Sequence, residues 1–121
     1  MDEEPEIAQI AWEGDSLEAV RSFPKPVREG LGAELFRLQL GERPLDSRPM
    51  KSIGAGVHEL RDRDDAGWYR VIYLRKVGNT IYVLHAFRKQ SARTGKRDLS
   101  VAEQRLKSVR ERIREEKKRN E

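Results

Sequence analysis

Trp68-Tyr69-Arg70-Val71-Ile72-Tyr73-Leu74 and Thr80-Ile81-Tyr82-Val83-Leu84-His85-Ala86-Phe87 are the stretches that decide the fold. Both are rich in β-branched and aromatic residues, which suit a pleated, half-buried surface. Val77-Gly78-Asn79 lies between them and is a tight-turn sequence, so the two form a hairpin. Upstream, Asp64-Asp65-Ala66-Gly67 joins a third strand to the pair. Strands at about 57–63, 67–76 and 80–88 therefore make an antiparallel meander. With a loop at 64–67, Arg61 falls opposite Arg70 and Glu59 opposite Ile72. Like charges directly opposite destabilise a sheet unless they face a cleft or an anion. With a three-residue loop at 77–79, Arg70 falls opposite Ala86 and diagonal to Arg88. Arg61, Arg70 and Arg88 then share one face. A two-residue Gly78-Asn79 loop would put Arg88 on the other.

Working outward, Ile7 to Trp12 is a candidate first strand. Asp15 or Ser16 caps a short helix, with Glu18 completing a capping box from Asp15. Phe23-Pro24-Lys25-Pro26 ends it, because proline cannot continue a helix interior. A second helix runs to about Leu40, with Val27, Leu31, Leu35 and Leu38 as its apolar stripe and Gly41 as its stop. Gly30 and Gly32 weaken it and offer room for another element to approach. Residues 42–56 read as a loop. Ser100 and Glu103 form a capping box for a last helix whose apolar stripe is Ala102, Leu106, Val109 and Ile113. The order is β-α-α-β-β-β-α, an α+β domain spanning 1–121 with a frayed basic tail at about 117–121.

Charge points to a partner. From Ala66 to Arg97 there are eight Arg or Lys residues and no Asp or Glu. Residues 1–50 hold 6 basic and 11 acidic residues; residues 51–121 hold 19 and 10. The net +4 conceals this division. An acid-free basic sheet calls for a polyanion, with nucleic acid first, against the plainer reading of a solvated charged face. The chain has no cysteine, which excludes disulfide and thiolate chemistry. There is no zinc spacing and no phosphate-binding glycine motif, so no metal or nucleotide cofactor is expected. The acidic N-terminus is unlike a signal peptide and no apolar run approaches a membrane span, so a cytoplasmic protein with no membrane partner is expected.

Three guanidiniums on one face would suit a phosphodiester and the extra negative charge of its transition state. Cleavage of RNA by its own 2′-hydroxyl needs no metal, only cations and two proton carriers. Lys51, His58 and His85 are the candidate carriers. On regular strands His58 points away from Arg61, and His85 away from Arg88. The aromatics Trp68, Tyr69, Tyr73, Tyr82 and Phe87 could stack bases, but central strands use such residues first as core.

Lys51, Gly56-Val57-His58-Glu59-Leu60-Arg61, Trp68-Tyr69-Arg70-Val71-Ile72-Tyr73, Leu84-His85-Ala86-Phe87-Arg88-Lys89 and the Asp98–Leu106 helix start together resemble the phage-derived, HigB-like branch of the RelE/ParE toxin superfamily. The resemblance implies a RelE-like curved antiparallel sheet with N-terminal helices on one side. It implies metal-independent cleavage of mRNA, in the ribosomal A site, and neutralisation by a cognate helix-turn-helix antitoxin that covers the basic surface or displaces the last helix. By matching positions, Arg70 is the phosphate-binding arginine and Arg88 or Lys89 the second catalytic cation, with Arg61 and Lys51 as further members. Arg93, Lys96, Arg97 and His58 are the expected RNA contacts. His58-Glu59 stands where RelE-type enzymes carry lysines, and no aromatic follows Lys89. The same fold hosts gyrase poisons, so a toxin that binds gyrase and a plain RNA-binding module stay open beside the nuclease.

Overall fold

The computed structural model describes residues 6–89 and 95–120. Its elements are β1 (Gln9–Trp12), α1 (Ser16–Arg21), α2 (Lys25–Gln39), β2 (Ser47–Pro49), β3 (Val57–Asp64), β4 (Gly67–Val77), β5 (Thr80–Lys89) and α3 (Lys96–Arg119). The strands form one five-stranded sheet in the order β1-β5-β4-β3-β2. The α+β class and the central meander match the expectation. Two features do not. The sheet is mixed, because β1 lies parallel to β5. The expected loop at 42–56 contains β2, an antiparallel edge strand on β3 whose Pro49 is tolerated because an edge needs no further donor.

The sheet carries a core on each face. Val27, Leu31 and Leu35 of α2 and Val20 of α1 pack on Leu60, Tyr69, Val71, Tyr73, Val83 and Ala86. Ala102, Leu106 and Val109 of α3 pack on Val57, Ile72, Leu74, Leu84 and Phe87. Both helical stripes are the ones legible in the sequence. Among the described residues no helix is long and apolar enough to cross a membrane.

Neither capping box forms. Asp15 precedes α1 but makes no side-chain cap bond; its carboxylate accepts from Arg105 Nη2 at 2.9 Å. α3 begins at Lys96, four residues before Ser100, so Ser100 lies inside the helix. Its first-turn Asp98 turns towards β5 instead of the helix end. The basic run Lys117-Lys118-Arg119 forms the last turn of α3, where cations complement the helix dipole.

The two helical glycines differ. A Cβ on Gly30 would sit 2.9 Å from Asp62 Oδ2, so β3 does approach there. Gly32 has nothing within 4 Å and faces solvent. Gly32→Ala is therefore expected to stabilise the protein by about 0.5–1 kcal/mol, through helix propensity alone. Urea denaturation of the two proteins measures it.

Candidate functional site

Register decides which cations meet. β3 and β4 pair as expected, with Arg61 opposite Arg70 and Glu59 opposite Ile72. The β4–β5 hairpin turns through Gly78-Asn79, with Val77 opposite Thr80 and Gly78 at φ +61°. Leu74 and Tyr73 then face Tyr82 and Val83, the pairing a three-residue loop would set. Beyond them the register shifts again, because Ile72 faces His85 and Leu84 is the extra residue. Arg70 consequently faces Phe87, and Arg88 faces Tyr69. Arg88 thus lies on the other face of the sheet, the alternative that a two-residue Gly78-Asn79 loop implied, because the Leu84 bulge cancels the earlier shift.

The expected triad of Arg61, Arg70 and Arg88 therefore does not converge. Arg88 is exposed on the α1–α2 side, donates to Ala66 O at 2.9 Å and stands 5.9 Å over the Tyr69 ring. Arg61 and Arg70 stay together on the α3 side. Arg70 is 3 % exposed, and its Nη1 donates to both carboxylate oxygens of Glu59 at 2.9 Å. Arg61 Nε lies 3.8 Å from the same carboxylate. Glu59 is itself buried, and one anion between two guanidiniums fixes both where water is scarce. The acid-free stretch thus finds anions just outside its ends, Glu59 on β3 and Asp98 on α3.

Lys89 joins this face, paired with Trp68 across the sheet, and its Nζ lies 3.0 Å from Asp98 Oδ2. Lys96 and Arg97 are exposed in the first turn of α3, beside Asp98. Trp68 belongs to neither core cluster and is half-buried, with the guanidiniums of Arg61 and Arg63 each 5.3 Å from its ring. Gly67 beside it has φ +152°, and a Cβ there would meet Lys89 O at 2.7 Å, so only glycine lets the two strands close at this corner. Arg61, Arg63, Trp68, Arg70, Lys89, Lys96 and Arg97 make one basic, aromatic corner. Arg63 is a member the sequence reading did not assign to it, and Trp68 is one it named only among five rings that could stack bases. The signal was present, since residues paired across the 64–67 turn must share a face.

The other expected residues lie elsewhere. Lys51 is exposed in a turn after β2, at the opposite end of β3 from Arg61. Arg93 lies outside the described residues. His58 faces the α2 side, stacked on Tyr73 at 5.8 Å between ring centres, so it does not share the face of Arg61 and Arg70. Burial, with Arg75 nearby, lowers its pKa. The unfolded chain then binds the proton first, and stability is lost as pH falls below the ordinary histidine value of 6.5. His58→Gln should flatten the melting temperature between about pH 7 and 5, where titration of a normal histidine is centred. Tyr73 is held in turn by Ser47, hydroxyl to hydroxyl at 2.7 Å. His85 is buried on the α3 side. Its Nε2 meets Asp98 Oδ1 at 2.9 Å and its Nδ1 faces Arg105 Nη1 at 3.4 Å. With both ring nitrogens engaged, His85 fastens α3 to β5.

A basic corner on a helix-flanked meander can be compared with known proteins. The family model described as phage derived protein Gp49-like matches residues 18–107, most of the chain. The chain belongs to the phage-derived Gp49-like family. The fold of this Gp49-like protein is that of the toxin RelE. A mutant of RelE from E. coli, solved in the free state, superposes with a TM-score of 0.61 at 18 % identity, covering 83 % of this chain and 98 % of that one. The RelBE2 toxin–antitoxin complex from Mycobacterium tuberculosis is more distant, at TM-score 0.44 and 14 % identity, covering 74 % of this chain and all of that one. Comparison with curated proteins finds no match. The chain thus belongs to the Gp49-like family and has a RelE-like fold.

Proposed function

We propose that this Gp49-like protein is the toxin of a toxin–antitoxin pair and that it acts on RNA through the corner built from Arg61, Arg70, Trp68 and Lys89. The observation that carries the reading is a half-buried tryptophan flanked by two guanidiniums on the face that also holds Arg70 and Lys89. An aromatic ring beside fixed cations suits a single-stranded nucleic acid, with the ring stacking a base and the cations meeting phosphates. Six basic side chains gather there with Glu59, Asp98 and the turn carboxylates Asp64 and Asp65, so the corner keeps an excess of positive charge.

The reaction assigned to it is metal-independent cleavage of mRNA by the adjacent 2′-hydroxyl, on the ribosome. Arg61 and Arg70, held by Glu59, would neutralise the charge that grows on the phosphoryl oxygens. An arginine cannot give up its proton, whereas a lysine can. Lys89 is therefore the group assigned to protonate the leaving 5′-oxygen as the P–O5′ bond breaks, while the attacking 2′-hydroxyl gives its proton to solvent water. Arg88 has no part in this scheme, because it stands on the other face. A helix-turn-helix antitoxin is the expected protein partner.

Induced expression should arrest growth, and primer extension on translated mRNA should show discrete new ends. Lys89→Ala should remove those ends at equal protein level, while Arg88→Ala should retain them. Intact mRNA with inhibited supercoiling would replace this reading by a gyrase poison. RNA binding without growth arrest would reduce it to a binding module.

A further inference from the structure

Lys89 occupies a seat built by the start of α3. Its Nζ lies 3.0 Å from Asp98 Oδ2. A Cβ on Gly95, the residue before α3, would meet that Nζ at 2.7 Å, so the ammonium takes the place a side chain would fill there. Gly95 has φ −76°, an angle open to any residue, so the glycine supplies space and not a special backbone angle. The positive end of the α3 dipole disfavours a cation at this point, and the Asp98 carboxylate offsets it. The Lys89 side chain is 31 % exposed, so one side of the ammonium stays open beside Trp68, its partner across the sheet.

Asp98 is itself fixed from behind. Its Oδ1 lies 2.9 Å from His85 Nε2, and His85 Nδ1 faces Arg105 Nη1 at 3.4 Å. A guanidinium only donates, so Nδ1 accepts and Nε2 carries the proton given to Asp98. Arg105 is anchored in turn on Leu84 O at 3.0 Å and Asp15 Oδ1 at 2.9 Å. His85 is buried and stacked on Phe87 at 5.0 Å between ring centres. The line Arg105, His85, Asp98, Lys89 is closed at its inner end and open at the lysine. A clasp between α3 and β5 is already complete at His85 and Asp98. The second carboxylate oxygen, spent on a partly exposed lysine, adds little to stability. What it does is fix Lys89.

We propose that Asp98 is a positioning residue: seated by His85, and with Gly95 leaving the room, it holds the Lys89 ammonium towards the scissile phosphodiester. The proposal rests on the nuclease reading. In that step Nζ–H passes its proton to O5′ as the P–O5′ bond breaks, the 2′-hydroxyl proton goes to water, and the neutral amine regains a proton from water. Asp98 takes no proton. A lysine stem has many rotamers, and fixing one before RNA arrives brings the acid to its target already oriented.

The full chain is compared with its variants in three measurements: cleavage rate on translated mRNA, affinity for a fluorescein-labelled single-stranded RNA, and melting temperature. Asp98→Asn should cut about 10- to 100-fold more slowly, the scale of a misplaced catalytic group. It should bind the RNA at least as tightly as the parent, because an anion has left a phosphate-binding corner. Gly95→Ala displaces the ammonium with Asp98 and His85 in place, and should show the same split. Cleavage at the parent's rate in Asp98→Asn would overturn the proposal. So would rate, RNA affinity and melting temperature falling together, the pattern of a merely structural clasp. The NMR signal of the Lys89 ammonium needs no activity. Its exchange with water should be slow in the parent and fast in Asp98→Asn, and fast exchange in the parent would also overturn the proposal. Lys89→Ala cutting as the parent does would instead count against the proposed function, with the ammonium signal still deciding whether Asp98 holds the side chain.

Discussion

Glu59→Ala is expected to destabilise the protein by about 3–5 kcal/mol, a large part of the roughly 5–15 kcal/mol that a domain of this size has. The carboxylate is buried, takes two 2.9 Å bonds from Arg70 and lies 3.8 Å from Arg61. Without it, the two guanidiniums opposite each other on β3 and β4 lose the carboxylate that links them. Glu59→Gln keeps the shape and one acceptor, and should cost less than the alanine. Arg88→Ala is the control. Its side chain is exposed, so its loss should cost less than about 1 kcal/mol. Urea unfolding followed by tryptophan fluorescence measures all three. A Glu59→Ala protein as stable as Arg88→Ala would mean that water already reaches the Arg61–Arg70 pair.

Trp68→Ala should weaken binding of single-stranded RNA by about 1–3 kcal/mol, roughly 5- to 150-fold, the usual effect of removing a base-stacking ring. It should leave the melting temperature nearly unchanged, because Trp68 packs in neither core. Tyr69, one residue earlier in chain order from Arg70, gives the contrast. It is 1 % exposed and packs edge-on against Phe23 at 5.0 Å, so its removal should unfold the protein before it reports on RNA. Fluorescence anisotropy with a labelled RNA reads the difference, and the affinity of the parent protein should fall steeply with salt, as phosphate contacts release counterions. An unchanged affinity in Trp68→Ala would remove the ring from the interface.

Much of the fold could be read because side-chain period and turn chemistry act locally. The meander, the stripe of α2 and the stripe of α3 each follow from residues within one element. The features that escaped are set by distant partners or by single residues. β2 is three residues long and contains Pro49, so no period can announce it. The parallel pairing of β1 joins residues about 70 positions apart, Gln9 with Thr80, without a connecting turn to signal it. Asp15 looks like a helix cap in sequence, but Arg105 claims its carboxylate, and Asp98 is held by His85 and Lys89 across the sheet face.

The site shows the same division. Arg61 opposite Arg70 was legible, because the 64–67 turn fixes that register over a short distance. The place of Arg88 was legible only as one of two alternatives: the two-residue Gly78-Asn79 turn sets it on the other face, and Leu84 restores that register after the irregularity between Leu74 and Val77. A bulge inserts one residue of ordinary type into an ordinary strand, and nothing in its side chain marks it. That residue decides which cations share a face with Trp68.

The proposed RNA contact is on the α3 side of the sheet, at the Trp68–Lys89 corner. Ultraviolet crosslinking of bound RNA to the unmodified protein, with the attached peptides identified by mass spectrometry, tests this most directly. Crosslinks on Trp68 and Lys89, with none on Tyr73 or His58, are the predicted result. Crosslinks concentrated on His58, Tyr73 and Arg88, the opposite face, would contradict it.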